Sequence, residues 1–249
     1  MRKVRAPIAD LAEGERPLDA SSGHYVARVL RLGAGDGFVA FDPARGVEAE
    51  CVVVVAAARD VVVKVGPLRP RQTARIDVTW LQGMAKGDKL DAIVRDATEL
   101  GVTAFVAVAS ERAVVKLAGE RGDARRARWE RIAREAARQS GRAEAPRVEG
   151  PLGWTEALAR ATPDRARFVL WEQAETPLAP ALATAFADER PLAFAVGPEG
   201  GLSPAEAREA EAAGWTLASL GPHILRTETV AAAVLGAVRI FGDTSITRV

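Results

Sequence analysis

Two stretches near the carboxyl end gather residues that can do chemistry. FAVGPEGGLSPAE (194–206) sets Gly197, Pro198, Glu199, Gly200 and Gly201 between an apolar run and a helix start. SLGPHILRTETVAAAVLG (219–236) repeats that layout and carries Leu220, Gly221, His223, Ile224, Leu225, Arg226 and Glu228. Glycines let a ligand approach the backbone closely. A carboxylate such as Glu199 tolerates positive charge beside it and opposes a phosphate at a helix amino end. The first stretch lacks the Gly-Lys-Ser/Thr of a phosphate loop and does not fit G-x-G-x-x-G. It suits a flat or apolar ligand held by main-chain groups. A tight turn with a solvated Glu199 fits that stretch taken alone equally well. Two such loops on one edge of a parallel sheet would instead form a single, mostly apolar cleft.

The elements that must position these loops follow from pattern. Residues 1 to about 70 read as β: FVAF (38–41), EAECVVVV (48–55) and DVVVKV (60–65) are β-branched runs with GAGDG and DPARG as turns between them. Strands this short suggest a small barrel. KVGPLRPRQT (64–73) reads as a linker. From about residue 74, strands at 75–82, 103–110, 167–173, 191–196 and 215–220 alternate with helices at 89–100, 125–140, 177–187, 203–213 and 227–241. That alternation predicts a parallel sheet covered on both faces. Ser203, Pro204 and Glu206 form a capping box with proline at the first helical position, and Thr227 is expected to cap the last helix. Both loops therefore sit at carboxyl ends of strands, where open α/β sheets bind ligands.

Composition narrows the function classes. The chain has 249 residues, 48% hydrophobic and 27% charged, with net charge +1, so any basic surface is a local patch. Its one cysteine, Cys51, excludes intrachain disulfides and cysteine-based zinc sites, and its apolar run predicts burial. No His/Cys/Asp cluster has metal-ligand spacing, so no metal is expected. The amino terminus lacks the apolar core of a signal peptide, and no run of about 18 apolar residues occurs, which predicts a soluble cytoplasmic protein with no membrane partner.

GPEGGLSPAE followed by LGPHILRTET closely resembles the RsmE-type 16S ribosomal RNA uridine-N3 methyltransferases of the SPOUT superfamily. HYVARVLRLGAGDGFVAFD (24–42), KGDKLDAIVRDATELGV (86–102), SERAVVKL (110–117) and REAARQSGRAEAPRV (134–148) match further blocks of that family, so the resemblance covers most of the chain. It implies a small amino-terminal PUA-like β-barrel, residues 1–70, that binds RNA. It implies next a parallel-sheet SPOUT α/β domain, residues 74–249, with a carboxyl-terminal trefoil knot. It further implies a homodimer, S-adenosylmethionine as cofactor, and 16S rRNA in the small ribosomal subunit as partner. The motif-matched cofactor residues are Leu170, Glu172, Gly197, Pro198, Gly200, Gly201, Leu220, Gly221, Ile224 and Leu225. The chain departs from the family pattern at Arg95-Asp96, where Gln-Lys is usual, at His223, where Arg is usual, and at Val230, where Ala is frequent. The first departure adds an acid and the second removes a permanent charge. A SPOUT enzyme on another RNA, and a non-catalytic RNA-binding or assembly factor, are the alternatives.

Methyl transfer from a sulfonium needs donor and acceptor held close and aligned. A carboxylate near a cationic donor is compatible with it, which suits Glu199. Uridine N3 carries a proton at neutral pH. Glu199 and Glu228 are carboxylates near the loops, His223 can act as a base, and Arg226 can stabilise charge developing on the uracil oxygens. Each has a plainer use: Glu228 for the helix dipole, Arg226 for a loop carbonyl or a partner subunit, His223 in solvent. His24 is expected to pack in the amino-terminal domain. Residues 121–142 hold eight arginines against three acids. Arg131, Arg134, Arg138 and Arg142 share one helical stripe, and Trp129, Ile132, Ala133 and Ala136 the opposite one. With Arg2, Lys3, Arg5, Lys86, Lys89, Arg112 and Lys116, that stripe is a candidate RNA-phosphate surface, although part of it serves equally as a solvated face.

Overall fold

The computed structural model describes residues 4–42, 44–57, 60–70, 76–113, 119–142 and 144–244. The chain divides into two compact units, residues 1–73 with 137–144, and residues 74–136 with 145–249. The helical pattern did not separate 137–144 from the rest of its helix.

In the first unit, β1 (Arg5–Pro7), β2 (Gly14–Pro17), β3 (Gly37–Asp42), β4 (Val47–Ala56), β5 (Val61–Val65) and β6 (Arg69–Pro70) form one sheet in the order β1-β3-β4-β5-β2, with β6 on β4. Only β1–β3 among these pairs is parallel. Helix α1 (Ala20–His24) runs into a π-helical turn at Tyr25–Val29. Cys51 and Val53 alternate inward along β4 and meet Phe38, Ala40, Val63 and Val65. Burial pushes the Cys51 thiol above its usual range. The segment read as a linker includes part of β5 and all of β6. β1, β2 and β6 escape a pattern search because RAP, GERP and RP carry almost no apolar signal. His24 is exposed at the end of α1 rather than packed.

In the second unit, β7 (Val78–Gly83), β8 (Ala104–Ala109), β9 (Arg147–Gly153), β10 (Ala166–Leu170), β11 (Leu192–Val196) and β12 (Thr216–Ala218) form a sheet in the order β12-β10-β11-β7-β8-β9. Every pairing is parallel. The helices are α2 (Lys89–Glu99), α3 (Glu120–Ser140, whose residues from 137 on count with the first unit), α4 (Trp154–Leu158), α5 (Leu178–Ala187), α6 (Pro204–Ala212) and α7 (Thr227–Thr244). Side chains alternate between two cores. Trp80, Phe105, Phe168 and Phe194 pack with α2, α3, α5 and α7, while Leu81, Val106, Val169 and Ala195 pack with α4 and α6. Continuous apolar strands are what a sheet covered on both faces requires. Phe194 stacks on Phe168 at 5.6 Å and tilts against Trp80 at 5.7 Å.

The strand expected to run to Gln173 stops at Leu170: the bond from the Trp171 N–H to the Ala218 carbonyl completes the Leu170–Ala218 pair, and the chain then turns at Trp171–Ala174. β9 and α4 were not anticipated. Gly150 and Pro151 break the apolar pattern of β9, and the pairing with β8 shifts register there. An edge strand accommodates such a proline.

Asp77 precedes β7 and accepts hydrogen bonds from Thr103 Oγ1 and Arg165 Nη2. Burial works against its charge, but Arg165 and Thr103 outweigh it and hold the carboxyl below the usual aspartate range. A depressed pKa contributes stability above the unfolded-state value, and that stability is lost as pH falls through the folded-state value. The gap in urea midpoint between wild type and Asp77→Asn should therefore narrow as pH drops from neutral into the acid range. A pH-independent gap would remove this linkage.

Candidate functional site

All strands of the second sheet are parallel, so the loops after β7, β10, β11 and β12 open on one rim. Three of them meet in a cleft of about 510 Å³, lined by residues of 170–172, 196–202 and 219–227 together with Lys89 and Val230. Every cofactor-type residue named from sequence lies in this lining: Leu170, Glu172, Gly197, Pro198, Gly200, Gly201, Leu220, Gly221, Ile224 and Leu225. Arg226 and Glu199 line it as well, and Glu228 stands beside it through Lys89.

The glycine loop is shaped by contact between backbones. A Cβ on Gly197 would lie 2.8 Å from the carbonyl carbon of Gly201 and 3.0 Å from the Leu202 nitrogen. Gly201 donates to the carbonyl of Pro198 at 2.9 Å and adopts φ +69°, a left-handed conformation open to glycine. A Cβ on Gly200 would instead meet the Arg112 Cβ at 3.2 Å. A substituent there thus presses on the loop after β8, a route to damage that the sequence did not suggest. Downstream, the capping box forms as expected. Ser203 N–H donates to Glu206 Oε2 at 2.9 Å, and Glu206 N–H to Ser203 Oγ at 3.2 Å. Glu206 Oε1 also accepts from the Glu111 N–H at 2.8 Å, tying α6 to the loop after β8.

Beneath the cleft lies a network that the sequence reading missed. Gln82, fully buried at the end of β7, donates through Nε2 to Thr227 Oγ1 at 2.8 Å, to the Gly83 carbonyl at 3.2 Å and to the Gly197 carbonyl at 3.3 Å. Its Oε1 accepts from Trp80 Nε1 at 3.0 Å. Thr227 Oγ1 donates to the Gly197 carbonyl at 2.9 Å, so this hydroxyl is engaged across the cleft floor instead of capping its own helix. A polar residue at the end of an apolar strand, Gln82 in VTWLQG, was the available signal.

The charged residues sort into paired and unpaired. Glu199 accepts the Lys86 N–H at 3.1 Å and pairs with Lys89 Nζ at 3.2 Å. Burial disfavours its charge, but its own N–H, the Lys86 N–H and the Lys89 ammonium outweigh that and hold the carboxyl below its usual range. Glu228 Oε1 stands 3.7 Å from the same ammonium, and its Oε2 is buried without a hydrogen-bond partner. Arg112 donates to the Gly200 carbonyl at 3.1 Å. Arg226, His223 and Glu172 are exposed, with no ion pair to a described residue. Among the described residues, no group of three or more His, Cys, Asp or Glu is placed to hold a metal ion.

The arginine-rich helix is amphipathic as expected. Trp129, Ala133 and Ala136 are buried, while Arg131, Arg134 and Arg138 are exposed. Arg134 stands 3.8 Å from Glu130, and Arg142 is half-buried. Arg5 is committed to Glu48 and lies over the Phe41 ring at 5.7 Å. Arg2, Lys3 and Lys116 lie outside the described residues. At the Arg95-Asp96 departure the two side chains pair with each other at 2.9 Å, so the added acid is locally neutralised.

Because backbone atoms face the Gly197 Cβ position, Gly197→Ala must displace the loop. We expect a loss of about 1–3 kcal/mol in urea unfolding, and unchanged stability would show that the loop relaxes freely.

Residues 72–239 match the model of an RNA methyltransferase domain, and residues 18–66 that of an RNA methyltransferase PUA domain. The chain is 33% identical over 221 residues to ribosomal RNA small subunit methyltransferase E of Bacillus subtilis (strain 168), covering 86% of each chain. It is 34% identical over 227 residues to the Mycobacterium bovis protein of the same name, covering 90% of this chain and 85% of that one. A crystal structure of ribosomal RNA small subunit methyltransferase E from Neisseria gonorrhoeae bound to S-adenosyl methionine superposes with TM-score 0.80 at 27% identity, covering 96% of this chain and 98% of that one. With both domain models in sequence order, and identity above 30% across most of its length, this chain belongs to the RNA methyltransferase family that includes ribosomal RNA small subunit methyltransferase E.

Proposed function

We propose that the chain is an S-adenosylmethionine-dependent methyltransferase acting on N3 of a uridine in 16S rRNA of the small ribosomal subunit. The observation that carries this reading is the meeting of the 197–202 and 219–227 loops in one cleft. The cleft suits the cofactor: it is backbone-lined at Gly197, Gly200 and Gly201, and apolar at Leu170, Ile224 and Leu225. Trp171 lines the cleft as well, and its indole packs against the core that α4 and α6 cover. S-adenosylmethionine supplies an electrophilic methyl group on a sulfonium.

The chain's own residues then divide the work. Arg226, exposed at the cleft and without an ion pair to a described residue, stabilises negative charge that develops on the uracil ring as N3 loses its proton. Glu199 is a weak proton acceptor, because its carboxyl is held below the usual range. In this reading Glu199 and Glu228 together anchor Lys89 at the rim. In the second unit Arg131 and Arg134, with Lys86 and Arg112, are basic groups for RNA phosphates, and in the first unit Arg138 and Arg142 are. Arg2 belongs to the same reading, and Arg5 contributes less, because it pairs with Glu48. The knotted threading of the carboxyl-terminal segment belongs to the same proposal, and the sheet order accommodates it.

A homodimer is part of the reading. An apolar groove of about 750 Å³ lies between α5 and α7, and shares Leu220, Gly221 and Leu225 with the cleft. Phe241 lines it at 58% exposure. A second copy seated there would adjoin the cofactor loops. Among the described residues no helix is long and apolar enough to cross a membrane, and we place the protein in the cytoplasm with its RNA.

Incubation with S-adenosylmethionine and either small subunits or naked 16S rRNA, followed by nucleoside analysis, should yield 3-methyluridine. Methyl groups on another nucleoside, or none on either RNA, would overturn the assignment. Arg226→Ala should lower kcat by about 10²–10³ while calorimetry finds cofactor affinity nearly unchanged. An equal fall in cofactor affinity would make Arg226 a binding residue.

A further inference from the structure

Three carboxylates stand at the cleft in unlike surroundings. Glu199 and Glu228 converge on one ammonium, Lys89 Nζ, at 3.2 and 3.7 Å. The single positive charge of Lys89 offsets one of their two negative charges before any ligand arrives. Glu172, in the turn after β10, lines the same cleft, is exposed, and has neither an ion pair nor a hydrogen bond to a described residue. It stands against the glycine cradle, since a Cβ on Gly201 would lie 3.0 Å from Glu172 Oε1. On the cationic side Lys89 is matched, and Arg226 on the loop after β12 is not. The cleft lining thus carries one unopposed negative side chain and one unopposed arginine, on different loops.

Resting on the reading of this cleft as the methyl-donor site, we propose that Glu172 is the specificity residue that separates the charged donor from its spent product. In the transfer the sulfur–methyl bond breaks with its electron pair left on sulfur. The new carbon–nitrogen bond takes the pair held by N3 after its proton has gone to solvent. The bound cofactor loses one positive charge and becomes a neutral thioether. An unopposed carboxylate at the cleft attracts the first form through that charge and loses the attraction once it is gone, which favours exchange of product for fresh donor. Glu199 discriminates less, because the Lys89 ammonium at 3.2 Å offsets its field, and Glu228, at 3.7 Å from the same ammonium, lies outside the cleft lining.

Calorimetry on the full chain decides this with three probes: S-adenosylmethionine, the neutral S-adenosylhomocysteine, and sinefungin, which carries an amine in place of the sulfonium. Glu172→Gln keeps the size of an exposed side chain, and its fold is checked by thermal unfolding without ligand. Affinity for the two cationic ligands should fall about fivefold, the upper range for a solvent-exposed ion pair, with the thioether affinity unchanged. The difference should shrink as salt is raised. An equal loss for all three ligands would mean that Glu172 grips a part common to them, and no change for any would make it a solvated carboxylate; either overturns the proposal. Failure of all three to bind the wild-type protein would instead remove the donor-site reading itself.

Discussion

The cleft depends on the side chain of one buried amide. Gln82 is the penultimate residue of the central strand β7, next to β11 in the sheet, and its Nε2 reaches the loop after β11 and the first residue of α7. Two N–H hydrogens serve three acceptors, so at least one hydrogen is shared. Thr227 closes the triangle by donating to the same Gly197 carbonyl. A buried amide of this kind is costly to leave unsatisfied, so the network favours one relative placement of the two loops. The glycines permit the loop to come close, and Gln82 and Thr227 determine where it stops.

Charge is arranged around that frame in the same economical manner. Acids near the cleft are engaged where they support structure: Glu206 accepts the N–H groups of Ser203 and Glu111, and Glu199 and Glu228 share the one ammonium of Lys89. Glu172 and Arg226, exposed and without an ion pair among the described residues, are the groups with charge available to a ligand. The first unit shows the same sorting. Arg5 and Arg69 converge on the largely buried Glu48, and Asp42 accepts three backbone N–H groups. A cation read from sequence as a phosphate contact can thus be an internal counter-ion.

Much of the second unit was legible because its signals are local. The apolar runs of β8, β10 and β11, the capping box at Ser203 and the amphipathic stripe of α3 arise from residues within a few positions of each other. Where the local signal was weak the reading failed. β1, β2, β6 and β9 owe their strand state to hydrogen bonds with partners remote in the sequence, and their residues include Pro and Gly. Of the site, the membership of the two loops was readable, while the pairing of Glu199 with Lys89 and the engagement of Thr227 were not.

The sequence by itself determined the alternation of strands and helices, the glycine loops at the carboxyl ends of strands, and the family resemblance. Those follow from short-range sterics, periodicity and motif order. Only the tertiary structure decided that β7 and β11 are neighbours, that Gln82 joins Gly197 to Thr227, and which charges at the cleft remain unopposed. The reason is physical: a charge or a buried amide is defined by what packs against it. At this site those partners lie up to 145 positions away along the chain.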